Sequence, residues 1–319
     1  MSSVDGVIII DKPVGLTSHD VVARVRRILR ERRVGHTGTL DPFATGVLVI
    51  LVGRATRLAQ FLSGAEKEYE AVIRLGFATD TGDLTGTRLA NKRAEGRANE
   101  CLWSDDEIES AMTNLRGEID QVPPMYSAKK HQGQKLYEMA RRGEQIERKA
   151  VRVTISAFES FPRSGQLLTK SSDGSCDLTV RVVCSAGTYV RTLAEDLGKR
   201  LGVGAHLVSL RRLRAGDFPI SRALSLDQVQ EKTEAGELSP FLLAPDAALS
   251  RLPFANLGAE DARRVRNGME VRLGDQPDRP WPDEQQVRMR SEGGQLIAIG
   301  VFDKASRRLH PRVVLEGEN

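Results

Sequence analysis

The residues with the most chemical content lie between Gly35 and Arg57, GHTGTLDPFATGVLVILVGRATR, where a single acid, Asp41, sits in a Gly/Thr-rich turn just ahead of an apolar run. Holding a carboxylate at the edge of an element is how a chain presents a nucleophile. Pro42 biases Asp41 away from the helical region, Gly38 permits a sharp bend, and Gly46 opens the run Val47 to Val52, which reads as a buried strand. Taken alone, an Asp-Pro pair is a common turn initiator, and a lone histidine such as His36, five residues earlier, is more often a packing residue than a catalyst.

Several elements must carry this turn. Thr17 and Asp20 have capping-box spacing, and Val21, Val22, Val25, Ile28 and Leu29 then recur on one helical face until Gly35 supplies a stop. The other face bears Arg24, Arg26, Arg27, Arg30, Arg32 and Arg33 with Glu31 as the one acid among them, a pattern suited to phosphate contact. Strand alternation runs through Tyr69 to Leu75, Val151 to Ile155 and Leu178 to Cys184. Helices are predicted from a Ser104 cap with Glu107 at box spacing, and from about Tyr189 to Leu201. Strands outnumber helices without regular alternation, so an antiparallel α+β core is expected rather than a doubly wound sheet. The polar stretches 90–100 and 163–174 read as surface loops without assigned function. After a Gly/Asn-containing linker near Leu252, a short helix around Glu260 to Val265 and brief strands at Val271, Val287, Leu296 to Val301 and Val313 predict a small β-rich module.

The 319 residues, 40% hydrophobic and 28% charged, allow two domains of ordinary soluble composition. The longest apolar run is too short to cross a bilayer and no leader precedes Val7, so a cytoplasmic location is expected. Cys101, Cys176 and Cys184 lack CxxC spacing and the five histidines never fall in HxxxH or HExxH pairs, so neither a disulfide framework nor a metal site is expected. Net charge is only +4, but cations cluster at Arg24 to Arg33, Lys129 to Lys130, Arg141 to Arg142 and Arg211 to Arg214, which suits a polyanionic partner.

Five passages, DKPVGLTSHDVV, GHTGTLDPFATGVL, EYEAVIRLGFATDTGD, PPMYSAKKHQGQKLYEMAR and CSAGTYVRTLAEDLG, closely resemble, in order and separation, the bacterial tRNA pseudouridine-55 synthases of the TruB family. They span most of residues 6 to 202, and the tail from about Leu252 is more distantly similar to that family's PUA-type RNA-binding module. The resemblance implies a catalytic domain over 1–251, built on a mostly antiparallel bent sheet with flanking helices, and a PUA-like domain over 252–319. It also implies isomerisation of a T-loop uridine of elongator tRNAs to pseudouridine, without cofactor, metal or guide RNA, and nothing in the sequence demands more than a monomer.

Through the same resemblance, Asp41 falls on the essential carboxylate, which lets the base detach, rotate and rejoin the sugar through carbon. Tyr69 matches a tyrosine that stacks on the target base and is a candidate for proton transfer, although a phenol near pKa 10 needs a matched pKa for that task. Arg191 matches an arginine paired with the aspartate, and Tyr189 a tyrosine of the same pocket. His36 is expected to hold the RNA loop once the nucleotide is extruded. Lys12, Arg57 and Lys130 are expected at phosphates, and Asp83 at a polar contact within the site or the RNA. Three rival readings keep a place: a dyskerin-like guide-dependent synthase, a tRNA-folding chaperone without required catalysis, and a phosphate-binding metabolic enzyme. The last rests only on the incomplete Gly-rich passages GVGAHL and GHTGTL.

Overall fold

The computed structural model describes residues 4–89, 101–126, 146–162, 165–171, 173–273 and 281–315, with isolated positions between 130 and 142. The strands in chain order are β1 (Gly6–Lys12), β2 (Val34–His36), β3 (Thr45–Val52), β4 (Lys67–Gly76), β5 (Gly117–Gln121), β6 (Lys130–His131), β7 (Gln134–Lys135), β8 (Val151–Ser160) and β9 (Leu168–Lys170). Then come β10 (Cys176–Cys184), β11 (Gly204–Ala215), β12 (Phe218–Pro219), β13 (Phe254–Leu257), β14 (Val271–Arg272), β15 (Gln285–Ser291), β16 (Leu296–Asp303) and β17 (Arg308–Val314). The main sheet runs β1-β3-β11-β4-β10-β8-β5, with β2, β9 and β12 attached to β3, β10 and β11. Its pairings are antiparallel except for a short parallel contact of Thr45 and Gly46 with Arg211 and Arg212.

Local signals set several elements. Thr17 and Asp20 form the capping box of helix Ser18–Leu29, and Ser104 with Glu107 does the same for helix Asp105–Thr113. The first helix ends earlier than Gly35, which lies in β2. Arg30, in the left-handed region at φ 53°, is the terminating residue, because one such residue breaks the i to i+4 ladder. Val47 to Val52 are buried in β3, and alternation puts Lys67, Tyr69 and Ala71 of β4 inward while Glu68 and Glu70 lie on the more open face.

Gly46 shows why this stretch needs a glycine. Its φ is +99°, and a Cβ there would collide with the backbone of Arg212 on β11. Gly38, by contrast, is not in the left-handed region, so the conformational requirement lies at the root of β3 rather than in the turn itself.

The C-terminal β-rich domain has its own sheet, β13-β15-β16-β17-β14, around Val265, Val287, Met289, Ile297 and Leu309, covered by helix Ala259–Arg266. The segment expected to be a linker contains β13, paired parallel to β15; four residues are too few to display a period. Leu296, Ile299 and Leu315 of this domain pack in one apolar cluster with Val7, Val47 and Leu51 of the main sheet. Beside that seam Asp246 accepts from Arg288 at 3.1 Å and from Arg290 at 2.6 and 2.8 Å.

Two further expectations change. A disulfide joins Cys101 and Cys176, whose Cα atoms are 5.8 Å apart across 75 residues of sequence, a proximity that only the fold creates. The stretch 163–174 includes β9, paired with β10, although residues 163, 164 and 172 lie outside the described set, as does all of 90–100. Among the described residues no helix is long and apolar enough to cross a membrane, and no group of three or more His, Cys, Asp or Glu could hold a metal.

Candidate active site

A cavity of about 270 Å³ opens beside Asp41, and Tyr69, Tyr189, Arg191, Lys67 and Arg212 contribute to its lining. The turn before β3 brings Asp41, β4 brings Lys67 and Tyr69, and β11 brings Arg212. The loop after β10 and helix Val190–Arg200 bring Tyr189 and Arg191. Register explains the convergence: Tyr69 stands opposite Val182 on one side and Arg212 on the other.

Arg191 holds both oxygens of Asp41, Nε to Oδ2 at 3.0 Å and Nη2 to Oδ1 at 3.2 Å. Its remaining donors reach Thr81 O at 2.9 Å and Tyr126 O at 2.7 Å, and Asp83 Oδ2 lies 3.7 Å from Nη1. The guanidinium is thus 4% exposed and matched by two carboxylates, while Asp41 keeps a third of its side-chain surface open to the cavity. Burial raises the Asp41 pKa above the ordinary carboxylate value; Arg191 is the main opposing influence, and Asp83 adds to the rise. Asp83 is itself fixed through Oδ1, which accepts from Thr81 Oγ1 and from both the amide and the hydroxyl of Thr85. Gly82, at φ +73°, lets this loop approach the helix: a Cβ would lie 2.6 Å from Glu195 Oε1 and 3.4 Å from Arg191 Cβ.

Lys12 has a different task from the phosphate contact expected of it. It is wholly buried, and its ammonium donates to Pro13 O, Leu16 O and Pro42 O at 2.9, 2.7 and 3.3 Å, so all three donors are engaged with backbone. It ties the far side of the Asp41 turn to β1. Arg212, which the sequence reading left within a cationic cluster, ties the near side: Nε donates to Val47 O at 2.6 Å and Nη2 to Gly38 O at 3.1 Å. Its neighbours Arg211 and Arg214 form ion pairs with Asp11, Glu66 and Glu68, so this cluster does not present a bare cationic surface. Strand alternation across 210 to 214 was the available signal for the inward Arg212.

Tyr69 is 8% exposed, and burial pushes its phenol pKa upward, away from the matched value that a base would need. Its ring still lines the cavity, which favours stacking. Tyr189 caps helix Val190–Arg200 and is held by Gln121, which accepts from its amide at 3.0 Å and donates to its carbonyl at 3.4 Å. His36 lies outside the lining. Half-buried, with Nδ1 unpartnered, it packs edge-on against the His19 ring at 5.6 Å, and burial lowers its pKa to about 4. Arg57 is also away from the cavity, exposed at the domain seam, with Nη1 donating to Val314 O at 2.5 Å. Lys130 lies in β6; its side chain is outside the described set.

Residues 26–190 match the TruB family pseudouridylate synthase N-terminal domain. The chain belongs to the TruB family. Residues 191–250 match the tRNA pseudouridylate synthase B C-terminal domain, so the Asp41 turn and the Arg191 helix fall in adjoining family regions. TruB-type relatives named tRNA pseudouridine synthase B include one from Thermobifida fusca (strain YX), 47% identical over 98% of this chain and 99% of its own. Another, from Cupriavidus metallidurans (strain ATCC 43123 / DSM 2839 / NBRC 102507 / CH34), is 41% identical over 97% of this chain and 93% of its own. Among solved structures, a Cbf5-Nop10-Gar1 complex contains a chain similar at TM-score 0.70 and 26% identity, over 98% of this chain and 85% of that one. As a TruB-family member the protein is a pseudouridine synthase, an enzyme that isomerises uridine in RNA.

Proposed function

We propose that this chain isomerises the T-loop uridine of elongator tRNAs to pseudouridine, with Asp41 as the essential carboxylate and without cofactor, metal or guide RNA. The observation that carries this reading is the bidentate Asp41–Arg191 pair at a cavity also lined by Tyr69. Arg191 orients the carboxylate and favours its ionised form at the reacting sugar or ring. Tyr69 offers an aromatic face to an extruded base. Flipping the uridine costs on the order of a few kcal/mol, offset by this stacking and by cationic contacts to the flanking phosphates. The exposed arginines of helix Ser18–Leu29 and of the segment after it suit those contacts.

The relatives' names support tRNA as the substrate. Residues 1–251 serve as the catalytic domain, and 252–319 as a PUA-like domain that extends the footprint by reading RNA shape and backbone. The apolar seam and the Asp246 ion pairs favour a fixed geometry between the two. The enzyme works as a cytoplasmic monomer. A guide-dependent mode is the second reading, favoured by the similarity to a chain of the Cbf5-Nop10-Gar1 complex.

The test is conversion of uridine in an unmodified tRNA transcript, mapped by position, with wild-type protein and Asp41→Asn and no guide RNA. Product at the T-loop uridine from wild type alone supports the proposal. Persistent product from folded Asp41→Asn would sink the role of Asp41, and no product from wild type that binds the transcript would favour the guide-dependent mode.

A further inference from the structure

Two of the cations lining the cavity, Lys67 and Arg212, have no carboxylate partner among the described residues. Arg212 is 2% exposed and donates to the carbonyls of Val47 and Gly38, while Lys67 is 8% exposed and donates to Ser63 O at 2.7 Å and Ala65 O at 2.6 Å. They converge beneath the turn that carries Asp41: a Cβ placed on Gly38 would lie 3.7 Å from Arg212 Nη1 and 3.9 Å from Lys67 Cε. The acids nearest in sequence are engaged elsewhere, Glu66 with Arg214, and Glu68 with Arg181 and Arg214. Arg191, in contrast, is matched by Asp41 and Asp83. Burying a cation without a counter-charge costs stability, and an arriving negative charge would offset that cost.

We propose that Lys67 and Arg212 form a cationic wall that stabilises the negative charge on the uracil base when its bond to the sugar breaks. This rests on the isomerisation proposed above. Whichever atom Asp41 engages, the C1′–N1 bond breaks with its electron pair left on the pyrimidine, spread over N1, O2 and O4, and Asp41 balances the electron-poor sugar carbon. The ring then turns, C5 forms the new bond to C1′, the C5 proton leaves and N1 gains a proton, so atoms and electrons balance without an oxidant or reductant. Preorganised cations where charge develops are an effective source of rate. An ammonium has three donors; among the described residues two on Lys67 are occupied by carbonyls, which leaves the third for a base in the cavity that Lys67 lines. Lys67 touches the base, while Arg212 acts through its field.

The wall has a pH signature. Burial, with Arg212 on β11 adding to it and Cys184 on β10 opposing, lowers the Lys67 pKa to about 8, so its charge is lost as pH rises through that value. Asp41, Arg191 and Tyr69 line the same cavity, and Lys12, behind the turn, also titrates at about 8. Replacing Lys67 by arginine separates the two lysines, because a guanidinium does not titrate in this range.

The experiment is single-turnover conversion of a tRNA transcript by saturating wild type, K67R, K67M and D41N across pH ~6.5 to 9.5, with tRNA affinity and folding measured alongside. We expect K67M to be slower by about a hundredfold with affinity changed less than about twofold, and the alkaline decline of wild type near pH 8 to be absent in K67R. Folded K67M within about threefold of wild type, or folded K67R with its decline unmoved, overturns the wall. If K67M fails to fold, the K67R profile decides alone. Product from D41N would instead overturn the role of Asp41, which keeps the two failures distinct.

Discussion

Arg191 grips both carboxylate oxygens of Asp41 across 150 residues of sequence, and its buried guanidinium is held in turn by Asp83, Thr81 O and Tyr126 O. The direction of the Asp41 carboxylate is therefore set from the helix Val190–Arg200 as much as from its own turn.

Arg191→Lys keeps the charge and removes the fork. We expect single-turnover conversion to fall by about a hundredfold, with tRNA affinity within about twofold of wild type. A loss confined to affinity would contradict the clamp.

The raised pKa of Asp41 has a consequence in acid. The proposed reaction uses the carboxylate form, so conversion should begin to fail at a pH above the ~3.9 of a free aspartate as pH is lowered. The acid limb of the single-turnover rate measures it, and a limb at or below that value would show Arg191 outweighing burial.

Gly46→Ala should destabilise the fold by about 3 kcal/mol or more, because the left-handed conformation and the collision with Arg212 add together. Gly15→Ala serves as the control: its φ is also positive, at +88°, but nothing lies within 4 Å of the added carbon, so it should cost only about 1–2 kcal/mol. Urea unfolding of both variants gives the comparison.

His36 makes folding sensitive to acid. Its folded pKa of about 4 is below its ordinary 6.5, so the unfolded chain binds more protons between these values. The contribution is fully present above about pH 6.5 and declines as pH falls towards 4. His36→Asn should flatten that part of the stability profile measured by denaturant titration. An unchanged slope would show that His36 titrates alike in both states.

Asp246→Ala leaves the nearly buried Arg288 without its counter-charge and removes a shared partner of Arg290. We expect a loss of about 3–5 kcal/mol, read by calorimetry as earlier unfolding of the C-terminal domain. Replacement without effect would assign the seam wholly to its apolar contacts.

Much of this protein was readable along the chain. The Thr17/Asp20 and Ser104/Glu107 boxes, the buried run of β3 and the alternation of β4 and β10 depend on neighbours within a few residues, and the structure keeps them all. Asp41 stood out for the same reason, and motif resemblance brought in Tyr69, Tyr189 and Arg191, which meet it at the cavity.

The fate of each cation was decided in three dimensions. Lys12 read as a phosphate ligand yet is buried beneath the Asp41 turn. Arg212 reads as one of a cationic cluster suited to a polyanionic partner yet points inward, while Arg211 and Arg214 pair with acids, and no local signal singles out Lys67. Charge and spacing reveal what a side chain can donate, but its partner is chosen by strand register and burial. Those couple β1, β4 and β11 across distances at which local sequence carries no signal.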